Sequence, residues 1–282
     1  MPLAARTLSP PAHDTTRERI RTRHAVTIAG SGPPLVFAHG FGCDQTMWRN
    51  VAPAFERDFT TVTFDYVGMG RSDRRAYDQR RYSTLDGYAQ AILDVCHALD
   101  LTEVTLVGHS VSASLALLAA IREPERFRRL VLVAPSPRFI NDLPEYFGGF
   151  DAQDIDGLLA LMDQNFIGWA EHLAPAIARN AERPALASEL ATSFCAADPL
   201  VMRRFAELTF RADNRADLPK VRLPSLILQC ADDSIAPRSV GEYMARHLRD
   251  SVLEIVDAEG HCPHLSHPAA TVDAIRRFLA VG

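Results

Sequence analysis

The chain has 282 residues, 47% of them hydrophobic and 23% charged, which is room for one large α/β domain with an insertion or for about two smaller domains. Its mean hydropathy of −0.06 excludes collagen-like and disordered classes, and no apolar run reaches the roughly 18 residues of a membrane helix. The net charge is −5, and basic residues dominate only the first 23 positions, where five arginines face Asp14 and Glu18; a nucleic-acid surface is therefore not expected.

Residues 1–23 carry prolines and arginines without the 7–15-residue apolar block of a secretory leader. They read as a disordered N-terminal tail. From Val26 onward, short apolar runs alternate with helical periodicity, as in a mainly parallel sheet with crossover helices on both faces. The expected strands are Leu35–Ala38, Thr61–Phe64, Val104–Val107, Leu130–Val133, Leu226–Leu228 and Leu253–Val256. Leu85, Tyr88, Ala89, Ile92, Cys96 and Leu99 recur at helical spacing, as do Val240, Tyr243, Met244 and His247, and a last helix follows Pro268. The alternation stops between Ser136 and Arg222, where only helices are expected. This divides the chain into a first core part (24–135), an all-helical insertion (136–222) and a second core part (223–282). The insertion holds seven of the fourteen phenylalanines, together with Trp169, as an apolar pocket under a helical lid would.

Five cysteines, odd in number and widely spaced, read as free thiols in a reducing cytoplasm. Lys220 is the only lysine and lacks a glycine-rich neighbourhood. P-loop, S-x-x-K and Schiff-base chemistry therefore lose an essential residue.

After the strand ending at Val107 comes Gly108-His109-Ser110-Val111-Ser112 and then an apolar helix, the strand–turn–helix that holds a nucleophilic serine in a strained elbow. The pattern departs from G-x-S-x-G at Ser112, which is still small. The strand Leu35–Ala38 ends in His39-Gly40-Phe41-Gly42, where the backbone N–H of Phe41, with that of Val111, can meet the oxyanion of a tetrahedral intermediate. An acid and a histidine must follow in that order. Cys230-Ala231-Asp232-Asp233 supplies two adjacent aspartates, of which Asp233 is favoured over Asp232, and Glu259-Gly260-His261 supplies the base. Cys262, His264 and His267 invite a metal reading, but Pro263 and Pro268 interrupt the helical geometry that would gather them. No metal and no cofactor is expected.

The strings His39–Gln45, Phe64–Gly68, Tyr82–Ala89, Gly108–Ser112, Leu228–Asp233 and Gly260–His264 together resemble the RsbQ-like α/β-hydrolases of bacterial sigma-B stress signalling, and are similar to the plant strigolactone and karrikin receptor hydrolases. The resemblance runs from about Val26 to the C-terminus. It implies the α/β-hydrolase fold with a helical lid, a triad at Ser110, Asp233 and His261, and Phe41, Trp169 and Phe194 as residues that touch the substrate. It also implies a small hydrophobic ligand and a PAS-domain signalling partner, with no role for nucleic acid or membrane. Two outputs stay open: hydrolysis of a small apolar ester or lactone, or ligand-dependent regulation with slow turnover. Cofactor-free haloperoxidase or C–C cleavage chemistry on the same fold is a third.

Overall fold

The computed structural model describes residues 12–180 and 182–281. A helix, α1 (Ala12–Arg23), opens the described chain, so the expectation of a disordered tail fails for residues 12–23; residues 1–11 lie outside the described residues. The helix is almost wholly polar, which is why composition concealed it. It is held by tertiary contacts: Arg17 makes a two-pronged ion pair with Asp100, Ile20 is half-buried, and His24 just beyond it is buried and bonded to the Asp65 carbonyl. Arg21 and Arg23 in its last turn suit the negative end of the helix dipole.

Seven strands follow in one sheet: β1 (Thr27–Gly30), β2 (Pro34–Ala38), β3 (Thr60–Thr63), β4 (Val104–His109), β5 (Phe127–Val133), β6 (Ser225–Asp232) and β7 (Ser251–Glu259). Their order is β1-β3-β2-β4-β5-β6-β7, and only β1 runs antiparallel to its neighbour. The six expected strands are present, five with wider limits and β3 shifted one residue toward the N-terminus, leaving Phe64 outside it. β1 was missed because TIAG is short and mostly exposed, so it carries no apolar run. In the centre, all six residues of β4 are buried, as a parallel strand covered on both faces requires.

Strand alternation divides the core in two. Leu130 and Leu132 of β5 pack toward α2 (Leu85–Ala98) and α3 (Val111–Arg122), whereas Val131 and Val133 pack on the opposite side with Trp48, Phe55 and Ile275. Between β5 and β6 lie four helices, α4 (Ala152–Gln164), α5 (Phe166–Ala178), α6 (Pro184–Ala196) and α7 (Pro199–Arg211). Local caps set their starts: Asp151 and Asp154 form a reciprocal box at α4, Asn165 caps α5, and Asp198 accepts from the Leu200 and Val201 amides at α7. Among the described residues no strand of the main sheet lies within this insertion; its only bridges are the local pairs Ile140 with Phe150 and Asp142 with Tyr146. The chain closes with α8 (Arg238–His247), α9 (Pro263–Ser266) and α10 (Pro268–Ala280). Among the described residues no helix is long and apolar enough to cross a membrane. The carboxyl ends of β2, β4, β6 and β7 all open on one edge of the sheet, where Phe41, Ser110, Asp233 and His261 follow them.

Candidate active site

Ser110 sits between β4 and α3 at φ 56°, ψ −121°, a conformation that side chains with a Cβ rarely adopt. Its neighbours show what the turn demands. A Cβ on Gly108 would stand 2.3 Å from the Ser112 carbonyl oxygen, so the first glycine of the elbow is a packing requirement. Ser110 N–H donates to the Val133 carbonyl on β5 at 2.9 Å, which anchors the strained residue to the sheet.

The side chains converge. Ser110 Oγ lies 2.7 Å from His261 Nε2, and His261 Nδ1 lies 2.8 and 3.0 Å from the two Asp233 oxygens. An ionised carboxylate only accepts, so Nδ1 carries the imidazole proton and Nε2 is left to accept the Ser110 hydroxyl proton. Asp233 is held in turn: the amides of Ile235 and Ala236 donate to its Oδ1 at 2.8 and 3.0 Å, and Gln229 Nε2 approaches Oδ2 at 3.4 Å. Asp232 points elsewhere, into an exposed ion pair with Arg179 at 2.8 Å. Of the two adjacent aspartates, geometry therefore joins Asp233 to the histidine. His261 is fixed from behind by its own N–H, which donates to the Ile177 carbonyl of α5 at 2.8 Å, so the insertion helps to set the loop after β7.

Phe41 and Val111 flank the serine, Phe41 on the loop after β2 and Val111 as the first residue of α3. Among the described residues neither backbone N–H is bonded to a carbonyl outside its own helix or strand. Ser112 accounts for the departure from glycine at the fifth position. Its hydroxyl donates to the His39 carbonyl at 2.5 Å and accepts from the Tyr66 hydroxyl at 2.8 Å, tying the elbow to the end of β2. His39 itself accepts from the Tyr66 amide through Nε2 at 3.2 Å and donates through Nδ1 to the Gly40 carbonyl at 2.9 Å. Burial holds its pKa below the ordinary histidine value, in keeping with that neutral tautomer.

Ser110 and His261 open on a cavity of about 30 Å³ walled by Phe41, Phe139, Leu190, Phe194, Phe210, Ile177 and Ile235, with His109, Thr209, Cys43 and Cys262 as its other polar or sulfur-bearing residues. Phe194 is where it was expected, on the wall; Gly42, at φ +70°, makes room for it, since a Cβ there would meet the ring at 2.3 Å. Trp169 is not on the wall. It is fully buried one ring further back, 6.0 Å from Phe41 and 5.4 Å from Phe194 by ring centroids, and stacks on Phe166. The phenylalanine content of the insertion signalled a pocket and the resemblance put Trp169 in it, but the phenylalanines reach the cavity and the tryptophan packs behind them. A wider open groove of about 860 Å³ between the Tyr82–Asp86 segment and α7 contains none of these groups.

The prolines do not disperse Cys262 and His264 as expected. Ligand atoms of His109, Cys262 and His264 lie within 4.8 Å of one another, all buried, whereas His267 turns to the Ser266 hydroxyl. The cluster does not resemble a charged site. His109 Nε2 donates to the His261 carbonyl at 2.8 Å, burial pushes both imidazole pKa values down, to about 3 for His264, and burial pushes the Cys262 thiol far up. Gln229, Tyr66, Thr209 and Cys43 were not anticipated at the site. Each lies in or beside a strand, loop or helix whose pattern reports burial but not the direction of a hydroxyl or amide.

Comparison with known proteins identifies the family. The sequence matches the Alpha/beta hydrolase family over residues 35–274. The chain belongs to the alpha/beta hydrolase family. Strigolactone esterase RMS3 of Pisum sativum is 39% identical to this hydrolase over 246 residues, covering 86% of this chain and 92% of its own. A karrikin insensitive 2 receptor of Petunia hybrida, form CA, is 34% identical over 262 residues, covering 92% and 97%. Among solved structures, a hydrolase from Oleispira antarctica superposes with a TM-score of 0.91 at 41% identity, over 94% of this chain and 98% of that one.

Proposed function

We propose that the chain is a serine hydrolase of small, neutral, largely apolar esters or lactones, with Ser110 as nucleophile, His261 as general base and Asp233 as the group that holds the imidazole. The observation that carries this reading is the unbroken Ser110–His261–Asp233 hydrogen-bond chain at 2.7 and 2.8 Å on a strained elbow. Ser110 Oγ gives its proton to His261 Nε2 as it attacks the substrate carbonyl, and Asp233 stabilises the imidazolium without itself being protonated. The Phe41 and Val111 amides receive the negative charge; each such donor is worth about 3 kcal/mol in the transition state. His261 then protonates the departing alcohol oxygen; in the second half water attacks the acyl carbonyl while His261 takes its proton, and as the Oγ–acyl bond breaks His261 returns that proton to Ser110 Oγ and the carboxylic acid leaves.

The substrate class follows from the wall, which is aromatic and aliphatic around a few polar groups. Phe41 and Phe194 would touch the ligand, and the insertion would serve as its lid. A cavity of about 30 Å³ holds little more than a water molecule, against the several hundred Å³ typical of ligand sites. Binding therefore requires side chains of the wall to move, and α6 contributes two of them, Leu190 and Phe194. The relatives include proteins named both as esterases and as receptors, and this favours a second output for the same site: ligand-dependent engagement of a partner, as in an RsbQ-like stress pathway with a PAS-domain protein. The five cysteines, all unpaired, suit a reducing cytoplasm.

Release of nitrophenol from p-nitrophenyl acetate and p-nitrophenyl succinate tests the proposal. The neutral ester is expected to be the better substrate, and Ser110→Ala to lower its kcat/KM by at least about 10³-fold. Turnover that survives the substitution, or a preference for the charged ester, would overturn it.

A further inference from the structure

Thr209 of α7 lines the cavity beside Phe139 and Phe210, is 2% exposed, and among the described residues its hydroxyl has no hydrogen-bond partner. A helical threonine ordinarily bonds its hydroxyl to the carbonyl three or four residues back on its own helix. Here it does not. An unpaired buried hydroxyl is costly to the folded chain unless something else meets it.

The other polar groups on the wall are engaged or ill-suited to a ligand. Ser110 and His261 bond each other, and His109 donates to the His261 carbonyl. The remaining nitrogen of His109 is pressed against the Gly40 backbone, where a Cβ would lie 2.4 Å from it. Cys43 and Cys262 are neutral thiols and weak donors. This leaves Thr209 as the strong hydrogen-bonding group that the insertion offers to a bound molecule, while the reacting groups come from the sheet.

We propose that Thr209 reads a second oxygen of the substrate, so that the site prefers esters or lactones bearing an ether or carbonyl oxygen besides the reacting group over hydrocarbon analogues of equal size. The inference rests on the hydrolase reading of the same cavity. A hydroxyl donates to a neutral oxygen, and a methylene in that place leaves it unpaired; sites built to bond a polar atom discriminate against analogues without one far more sharply than apolar pockets do.

Phenyl methoxyacetate and phenyl butyrate differ by one oxygen in place of a methylene, and their affinities for Ser110→Ala protein can be measured by titration calorimetry without turnover. Thr209→Val, which keeps the shape and removes the hydroxyl, is expected to reduce the preference for the methoxy ester about tenfold, while Thr209→Ser retains it within about twofold. Thr209→Val should also raise the unfolding midpoint of the ligand-free chain by roughly 2–4 °C, because an unpaired polar group is removed. An unchanged preference, a lowered midpoint, or failure of both esters to bind overturns the proposal. Loss of the hydrolase reading looks different: turnover of both esters would persist in Ser110→Ala, whereas the effect of Thr209→Val on affinity would be unaltered.

Discussion

Replacing Ser112 with alanine removes a hydroxyl that donates to the His39 carbonyl and accepts from the Tyr66 hydroxyl, with all three residues buried. The substitution orphans one donor and weakens the satisfaction of one acceptor. At about 1–3 kcal/mol for each buried group left unpaired, the expected destabilisation is about 2–4 kcal/mol. For a chain of this size that corresponds to a fall in Tm of roughly 5–12 °C. Tyr66→Phe alone should cost only about 1 kcal/mol, because Ser112 keeps its bond to His39. In the double variant the tyrosine hydroxyl is no longer there to be orphaned, so the cost of the double variant should fall short of the sum of the two single costs by about 1–2 kcal/mol. Urea titrations of the four proteins, followed by tryptophan fluorescence, give the cycle directly provided that the m-values agree. Strict additivity would refute the claim that Ser112 links the elbow to Tyr66 and the end of β2.

Asp233→Asn should lower acylation about 10⁴-fold by favouring the wrong imidazole tautomer, whereas Asp232→Asn, which removes only an exposed ion pair, should change it little; rapid-mix kinetics with p-nitrophenyl acetate would rank them. Trp169→Ala should cost about 3–5 kcal/mol of stability with ligand affinity of the folded protein unchanged, while Phe194→Ala should weaken binding by about 1–3 kcal/mol, a contrast that calorimetry beside thermal denaturation resolves. Burial lowers the pKa of His24 to about 4 and of His264 to about 3. Below about pH 6.5 the unfolded chain therefore takes up protons that both folded imidazoles refuse. Stability should fall by up to about 1.4 kcal/mol per pH unit for each histidine until His24 titrates near 4. A urea midpoint that stays flat from pH 8 to pH 4.5, or a slope that His264→Gln does not reduce, would contradict this.

The strands and the positions of the candidate site residues were legible in the sequence for the same reason. Buried parallel strands are continuous apolar runs, and the proposed reacting groups follow them on short loops, so locating Leu35–Ala38, Val104–Val107 and Leu226–Leu228 nearly located Phe41, Ser110 and Asp233. What escaped depends on three-dimensional neighbours. α1 is almost wholly polar, and its visible anchors are with distant residues, such as Arg17 with Asp100, 83 residues away. β1 pairs at an edge and has little to bury. Trp169 was assigned to the pocket by the family resemblance, yet which aromatic ring reaches a cavity is decided by helix rotation and by the glycine at position 42 that admits Phe194. The prolines were read as dispersing Cys262 and His264, but α9 is a single short turn that still sets both beside His109.

The central claim is that Ser110 is the nucleophile, and intact-protein mass spectrometry after treatment with phenylmethanesulfonyl fluoride tests it most directly. One sulfonyl adduct per chain is expected, mapped to the peptide containing Ser110, absent in Ser110→Ala and formed about 10⁴-fold more slowly in Asp233→Asn. An adduct of the same yield in Ser110→Ala, or one that maps to another serine of the wild-type chain, would contradict it.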